Sequence, residues 1–237
     1  MIDIHHHLVF GVDDGSRDFE MSQAMIRKAL ENQVTSICCS SHCTPGHRPF
    51  PWDTYMDHIR QLGDWIAQEG LALTLYSGCE ILYTDAAARM AVQSEIPTLA
   101  GTSSVLVEFM PNVEWDLICH ACRDMGNHGL NMVIAHVERY QCLHENMKRL
   151  HELHDSYGVY LQMNCNTVIK AHGFFGDRFA KNALKERLID VAASDSHNVS
   201  SRACNMLACH DMLVRDYGED MAYRLTEEQP KKILGIN

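Results

Sequence analysis

The chain has 237 residues, of which 20 are Lys or Arg and 31 are Asp or Glu, giving a formal net charge of −11 with histidine neutral. Its 46% hydrophobic and 22% charged residues exclude a disordered chain, and its acidic balance argues against general nucleic-acid binding, which requires a basic surface. The 15 histidines and 10 cysteines are unusual, and they raise the question of whether the protein holds a metal, a nucleophile or only packed side chains.

Seven short apolar segments, rich in Val, Ile and Leu, predict buried parallel strands. They lie at residues 2–5, 34–39, 71–76, 105–109, 132–135, 159–163 and 189–193. The stretches between them carry apolar residues at helical spacing, such as Met21, Met25 and Ala29, and predict amphipathic helices. Strands that alternate with helices predict an α/β fold, either a barrel or a doubly wound sheet.

The sequence contains no recognisable targeting or membrane-spanning segment. Its N-terminus lacks the cationic start and apolar run of a signal peptide, and no apolar stretch reaches the roughly 20 residues that cross a bilayer. We therefore expect a cytoplasmic protein without a membrane span, in which the cysteines are reduced thiols.

Side chains of the types that can bind metal follow six of the seven predicted strands. His5 and His7 end the first strand, Asp13 and Asp14 lie in the loop after it, and the later strands are followed by His42, Glu80, Glu108, His136, and Asp195 with His197. The carboxyl ends of parallel strands meet at one edge, where βα proteins place ligand-binding and catalytic groups. The recurrence of these residue types at that edge predicts a metal site.

The types of predicted ligand limit which metals are expected. Side chains of a strand repeat every two residues, so His5 and His7 are expected on one side, as are Asp195 and His197, whereas His6 is expected to point away and pack. Imidazole and carboxylate groups without cysteine favour Mn, Fe, Zn or Mg over a structural zinc site. Eight or nine ligands are too many for one ion and suit two or three, with a carboxylate bridging two of them.

Several segments carry a family resemblance, and they occur in family order from residue 1 to about residue 202. They are Met1-Ile-Asp-Ile-His-His-His7, Gly11-Val-Asp-Asp-Gly15, Ser41-His42, Gly78-Cys-Glu80, Leu106-Val-Glu-Phe109, Val133-Ile-Ala-His-Val-Glu-Arg139 and Ala193-Ser-Asp-Ser-His-Asn198. The sequence resembles the PHP (polymerase and histidinol phosphatase) superfamily, and within it the manganese-dependent tyrosine-protein phosphatases of bacterial capsule and exopolysaccharide operons. The resemblance implies a distorted seven-stranded (β/α)7 TIM-like barrel, as one phosphatase domain over residues 1–237.

The resemblance also implies how the ligands are shared among three ions. One ion would be held by His5, His7, Glu80 and Asp195, a second by Glu80, Glu108 and His136 with Glu80 bridging, and a third by Asp14, His42 and His197. The choice of Asp14 over Asp13 comes from the resemblance alone. Manganese is the expected metal, with Fe or Zn as alternatives.

The implied reaction is hydrolysis of phosphotyrosine in proteins by a metal-bound hydroxide. Arg139, three residues after His136, is the first candidate for binding the phosphoryl oxygens, because its planar guanidinium matches them in shape and charge. Arg202 is a second candidate, although the prolines that often follow it in the family are replaced here by Ala203 and Cys204. His42, His197 or a metal-bound water could serve as general acid, and we carry His42 as a catalytic candidate.

Cysteine chemistry is not favoured. Cys209 and Arg215 form one Cys-x5-Arg match to the thiolate-dependent tyrosine phosphatases, but the segment lacks glycine and has the pattern of a helix. The backbone amides of a helix interior cannot surround a phosphate, so the match is interpreted as accidental. Cys119 and Cys122 are likewise predicted to be a core-facing helix pair.

Three other functions remain open from the sequence. The same metals would serve a PHP-type small-molecule phosphatase such as histidinol phosphatase, or a metal-dependent nuclease or amidohydrolase on a related barrel. A metal-binding scaffold without turnover ranks lower, because no predicted ligand or arginine is missing. The resemblance implies a phosphotyrosine protein as substrate and a cognate bacterial tyrosine kinase as partner, and the sequence leaves open whether the protein is an oligomer.

Overall fold

Seven parallel strands form a nearly closed barrel in the computed structural model, which describes residues 1–144, 146–171 and 177–236. The strands neighbour one another in chain order: β1 (Ile2–His6), β2 (Ser36–Cys43), β3 (Thr74–Leu82), β4 (Ser104–Glu108), β5 (Asn131–Ile134), β6 (Tyr160–Asn164) and β7 (Val191–Ala193). The backbone N–H of His7 donates to the carbonyl of Ser196 at 2.9 Å, and the N–H of Asp195 donates to the carbonyl of His5 at 2.8 Å. These bonds join β1 to the chain after β7, and the predicted (β/α)7 barrel is confirmed.

Helices surround the barrel. The described residues form α1 (Phe19–Glu31), α2 (Trp52–Gln68), α3 (Asp85–Val92), α4 (Trp115–Asn127), α5 (Gln141–His144), α6 (Met147–His151), α7 (Cys165–Lys170), α8 (Arg178–Lys185), α9 (Met206–Tyr217), α10 (Glu219–Tyr223) and α11 (Gln229–Leu234). The first of them begins where the Asp18 side chain accepts from the N–H of Met21, which satisfies a free donor of the first turn. No helix among the described residues is long and apolar enough to cross a membrane.

Two apolar clusters divide the core. The larger one lies between the strands and the surrounding helices. The smaller one contains inward residues of several strands, such as Ile4, Leu106 and Val133, together with Ile233 and Leu234 of α11. Since these strand residues precede the predicted ligands in sequence, the smaller cluster fills the barrel interior below the edge where the ligands lie.

Strands β2 and β3 are longer than predicted, and this corrects the placement of two of the predicted ligands. His42 and Glu80 lie within these strands and pair in register, rather than following them. The prediction ended each strand at its last apolar residue. At the open end of the barrel the inner face is polar, so an apolar pattern stops before the strand does.

An irregularity in β1 reorients the histidines. Ile2 and Ile4 pack in the inner cluster, and strict alternation would turn His5 and His7 to the opposite face. The register with β2 shifts between Asp3 and His6, as a β-bulge produces. The bulge lets β1 contribute both to the apolar interior and to the ligand edge.

The cysteines are largely buried. Nine of the ten are buried free thiols. Cys209 is buried inside α9 while the Arg215 side chain of the same helix is 68% exposed, so the two do not form a phosphate loop. The interpretation of the Cys-x5-Arg match as accidental is confirmed, and Cys119 and Cys122 are buried on α4 as predicted.

Candidate metal centre

All nine side chains predicted as metal ligands lie at the carboxyl edge of the barrel. Three groups have ligand atoms within 4.8 Å of one another: His7, Asp14, His42 and His197; His5, His7 and Glu80; and His42, Glu80 and Glu108. The remaining two predicted ligands adjoin these groups. His136 Nε2 lies 2.7 Å from Glu80 Oε1, and Asp195 Oδ1 lies 3.5 Å from the Nε2 atoms of both His5 and His7.

Glu80 is at the middle of the cluster. Its Oε2 lies 3.1 Å from His5 Nε2, 3.3 Å from His7 Nε2 and 3.1 Å from His42 Nδ1. Burial raises the pKa of this carboxyl, but the surrounding imidazoles, His5 first, outweigh burial and hold the pKa well below its ordinary value. A buried, ionised carboxylate with both oxygens facing ligand groups has the position that a bridge between two ions needs.

The carboxylates around the buried imidazoles of His5 and His7 also favour a positive charge on these side chains. Burial lowers the pKa of His5 and His7, but neighbouring carboxylates outweigh it, so the pKa of each is raised. For His5 the opposing charges are those of Glu80 and Asp195. Either a proton or a metal ion on these imidazoles supplies that positive charge, and a metal that binds would displace the proton.

The two adjacent aspartates in the loop after β1 have different positions. Asp14, 65% exposed, has its Oδ1 3.5 Å from His42 Nε2 and 3.4 Å from His197 Nε2. The Asp13 side chain is only 1% exposed, its Oδ2 lies 2.8 Å from His7 Nδ1, and its carboxylate accepts from the backbone N–H groups of His42 and Gly15. Asp14 therefore faces the ligand cluster, while Asp13 orients His7 from behind.

Gly15 permits this loop to approach β1. A β-carbon at residue 15 would collide with the carbonyl oxygen and Cβ of His7, so no other residue fits without moving the loop. The loop places both aspartates, and this explains the Gly at the end of the Gly11-Val-Asp-Asp-Gly15 segment.

Two of the predicted ligands have left-handed backbones. His136, two residues after the end of β5, has φ of 32°, and Asp195, two residues after the end of β7, has φ of 53°. Non-glycine residues in this region cost about 1–3 kcal/mol each and persist when surrounding contacts impose them. Here the N–H of His136 donates to Gln162 Oε1 and the N–H of Asp195 donates to the carbonyl of His5. The strain thus accompanies the turn of both side chains into the centre.

The residues present fit bound cations. Among the described residues, four buried atoms of this centre have no hydrogen-bond partner: Nε2 of His5, His7 and His197, and Oε2 of Glu80. A buried polar atom without a hydrogen-bond partner destabilises the folded state, so such atoms are rare in native proteins unless they bind a ligand, an ion or a water. They converge in a region that also holds Asp14, Glu108 and Asp195, and this donor set binds divalent metals.

Both predicted arginines reach the centre through Asp195. Arg139 Nη2 lies 2.5 Å from Asp195 Oδ2, and Arg202 Nη2 lies 2.8 Å from Asp195 Oδ1. Their side chains are 41% and 37% exposed, so each guanidinium sits at the mouth with donors left over. Without the family's prolines, Arg202 is held by Asn198, whose Oδ1 accepts from the Arg202 backbone N–H at 3.0 Å.

A family model described as capsular polysaccharide synthesis, CpsB/CapC, matches residues 1–235. The chain belongs to the CpsB/CapC family. It is 34% identical over 240 residues to tyrosine-protein phosphatase CpsB from Streptococcus pneumoniae, covering 99% of this chain and 98% of that protein. It is 27% identical over 234 residues to tyrosine-protein phosphatase YwqE from Bacillus subtilis, covering 96% and 89%. The resemblance inferred from the motifs is confirmed.

Solved structures agree with this membership. A chain from crystal structures of YwqE and CpsB, described as unique metal-dependent tyrosine phosphatases, superposes with a TM-score of 0.88 at 26% identity, over 99% of this chain and 94% of that one. Histidinol phosphate phosphatase from Lactococcus lactis gives a TM-score of 0.60 at 16% identity over 95% of each chain, which indicates a shared fold.

In this member of the CpsB/CapC family, two polar residues that contact the predicted ligands were not predicted from the sequence. Gln162 and Asn164 of β6 are buried beside His5, His136 and Asp195. The available signal was their alternation in the segment Tyr160-Leu-Gln-Met-Asn164, which puts two amides on one face of an otherwise apolar strand.

Proposed function

We propose that this chain is a metal-dependent protein-tyrosine phosphatase that hydrolyses phosphotyrosine in proteins and thereby regulates capsular or exopolysaccharide synthesis. The observation that carries the proposal is the cluster of nine imidazole and carboxylate side chains beside two half-exposed arginines. The relatives CpsB and YwqE are tyrosine-protein phosphatases, which supports a phosphotyrosine substrate over the histidinol phosphatase and nuclease alternatives.

We further propose that the centre holds two or three divalent ions, manganese first, with Fe or Zn as alternatives. The proposed ligands are His5, His7, Asp14, His42, Glu80, Glu108, His136, Asp195 and His197. When bound, these ions would supply a water whose pKa is lowered to about 7, and positive charge for the phosphoryl oxygens. This charge is needed because the carboxylates of the centre outnumber its two guanidiniums and would repel a phosphate dianion.

Arg139 and Arg202 are proposed to bind the substrate phosphoryl group. Each uses one N–H on Asp195 and keeps other donors in its rigid fork, so both can grip the same tetrahedral group from the mouth of the site. Asp195 thus holds the two guanidiniums in fixed relative positions, which lowers the conformational entropy that these side chains lose when substrate binds.

His42 is proposed to assist the leaving phenolate as well as to ligate metal. Its side chain is 28% exposed, whereas His197, the other imidazole considered for this role, is 2% exposed and has its pKa lowered to about 3 by burial and by His7. Since tyrosine has a pKa near 10, its phenolate leaves readily and the demand on a proton donor is modest.

The test is hydrolysis of a phosphotyrosine peptide by the protein reconstituted with Mn²⁺. We expect turnover that disappears in excess chelator and returns with Mn²⁺, and slower turnover of aliphatic phosphates. Full activity in chelator would contradict the metal assignment. Faster hydrolysis of histidinol phosphate than of phosphotyrosine peptide would favour the small-molecule alternative.

The cellular setting is part of the same proposal. We place the enzyme in the cytoplasm, as one phosphatase domain over residues 1–237, opposite a tyrosine kinase whose phosphotyrosines it removes. The capsule role is supported by the family, described as capsular polysaccharide synthesis.

A further inference from the structure

Strand β6 is the one strand of the barrel from which no metal ligand was predicted, yet two of its side chains enter the centre. Gln162 and Asn164 are 0% and 7% exposed. We propose that they are positioning residues, which fix the proton placement and orientation of His5, His136 and Asp195 for metal binding. The inference rests on the proposed function, because it takes the centre to bind metal.

The orientation of the Gln162 amide is determined by its surroundings. The backbone N–H of His136 can only donate, and it points at one amide atom of Gln162 at 2.7 Å. That atom must therefore be the carbonyl oxygen, Oε1, because an NH₂ group there would place donor against donor. The backbone donor of His136 thus distinguishes the oxygen of this amide from its nitrogen.

The amide in turn fixes the proton of His5. The same Oε1 lies 3.1 Å from His5 Nδ1, and an oxygen that accepts requires Nδ1 to carry the proton. In the neutral, metal-binding form of His5, Nε2 then holds the lone pair, and this is the atom that faces Glu80 Oε2 at 3.1 Å and has no hydrogen-bond partner. Gln162 therefore selects the tautomer of His5 whose free nitrogen points into the centre.

The other end of the network reaches Asp195. Gln162 Nε2 donates to Asn164 Oδ1 at 2.9 Å, and Asn164 Nδ2 donates to Asp195 Oδ2 at 2.8 Å. Each amide is held at both its oxygen and its nitrogen, so a flip would break three hydrogen bonds at Gln162 and two at Asn164. The chain of donors runs in one direction from the amide of β6 to the carboxylate after β7.

The network also holds a strained residue. His136 has a left-handed φ of 32°, and its N–H bond to Gln162 is one of the contacts that can impose that conformation. Removing Oε1 would release both the His136 backbone and the His5 ring. One side chain thus positions ligands proposed for two different ions.

The decisive variant is Gln162→Met, which keeps the length of the side chain and removes its hydrogen bonds. We expect Mn²⁺ affinity, measured by calorimetry on the metal-free full chain, to fall about 10-fold to 100-fold, as for other residues that orient metal ligands. Gln162→Glu retains an acceptor for both His5 and His136, and it should bind Mn²⁺ more tightly than Gln162→Met. Asn164→Ala removes the bonds to Asp195 and to Gln162 Nε2 but leaves Gln162 Oε1 on His5 and His136, so it should lose less affinity than Gln162→Met.

The matched control is Thr226→Val, an isosteric change at a fully buried hydroxyl that donates to the Ala222 carbonyl in the C-terminal helical region. It should lower the melting temperature and leave Mn²⁺ affinity at the wild-type value. A Gln162→Met protein that loses melting temperature but binds Mn²⁺ as tightly as Thr226→Val would overturn the proposal. If Gln162→Met does not fold, Mn²⁺ affinity in Asn164→Ala equal to that of Thr226→Val would overturn it instead, because the bond from Asn164 to Asp195 is part of the proposed network.

A spectroscopic readout separates positioning from general stability. In protein loaded with diamagnetic Zn²⁺, ¹⁵N–¹H correlation spectra should place the His5 proton on Nδ1, and a proton on Nε2 would refute the proposed tautomer. These readouts do not depend on turnover. Failure of the wild-type protein to hydrolyse phosphotyrosine would therefore reject the proposed function while the affinity series still decided the role of Gln162.

Discussion

Truncating Arg139 should impair catalysis while leaving metal binding intact. The Arg139 guanidinium bonds to Asp195, and the Arg139 side chain is 41% exposed at the mouth of the site, where a phosphoryl group would bind. In Arg139→Ala the carboxylate of Asp195 keeps its bonds from Arg202 and Asn164. The change therefore removes phosphate contacts and leaves the proposed ligand in place.

The magnitude follows from the contacts that are lost. A hydrogen bond to a charged group contributes about 1.5–3 kcal/mol, and each 1.4 kcal/mol is about tenfold in rate. We expect kcat/KM for a phosphotyrosine peptide to fall about 10-fold to 150-fold in Arg139→Ala on that scale. Arg139→Lys keeps a charge but loses the planar fork, so its kcat/KM should lie between those of the wild type and Arg139→Ala.

The assay is steady-state hydrolysis in saturating Mn²⁺, with Mn²⁺ affinity measured in parallel. Arg215→Ala is the matched control, because Arg215 is a 68% exposed arginine on α9 that takes no part in the centre. Wild-type kcat/KM in Arg139→Ala would refute the proposed phosphate role. A large loss of Mn²⁺ affinity in the same variant would show that Arg139 acts through Asp195 instead.

The other predictions concern the metal, the thiols and the loop after β1. Glu80→Gln should lower the number of Mn²⁺ ions bound, because an uncharged amide replaces the carboxylate that faces four imidazoles, and wild-type stoichiometry by elemental analysis would contradict a bridging role. Cys209→Ala should retain wild-type kcat. It should lose about 1 kcal/mol of unfolding free energy in a denaturant titration, because removing the buried thiol leaves a small cavity. Loss of turnover in a variant that still folds would instead favour a thiolate mechanism. Gly15→Ala should weaken Mn²⁺ binding by calorimetry, because its added carbon displaces His7 or the aspartate loop, and unchanged affinity would argue against that clash.

The grouping of the nine side chains at one edge could be predicted from the sequence because its signal is local. Each of the nine residues stands at or near the end of a short apolar segment, and parallel strands bring such ends to one edge. The residue types then indicated metal, since imidazole and carboxylate recur there and thiols do not. Asp14 is the exception, because only the family resemblance distinguished it from its neighbour Asp13.

The features that escaped prediction depend on contacts between distant parts of the chain. The bulge in β1 appears in its register with β2, and the left-handed backbone of His136 is tied to Gln162, 26 residues later. His5 and Gln162 are 157 residues apart, so no local pattern links the imidazole to its acceptor. Strand ends were misplaced at β2 and β3 because apolar runs mark burial in the core and not the extent of backbone pairing.

The most direct test of the metal centre is anomalous scattering from crystals of the purified protein, collected at the Mn, Fe and Zn edges. We expect two or three peaks within bonding distance of the nine side chains, with one peak on each side of the Glu80 carboxylate. A single peak elsewhere in the molecule, or metal bound without contact to Glu80, would contradict the metal centre from which the proposed function is argued.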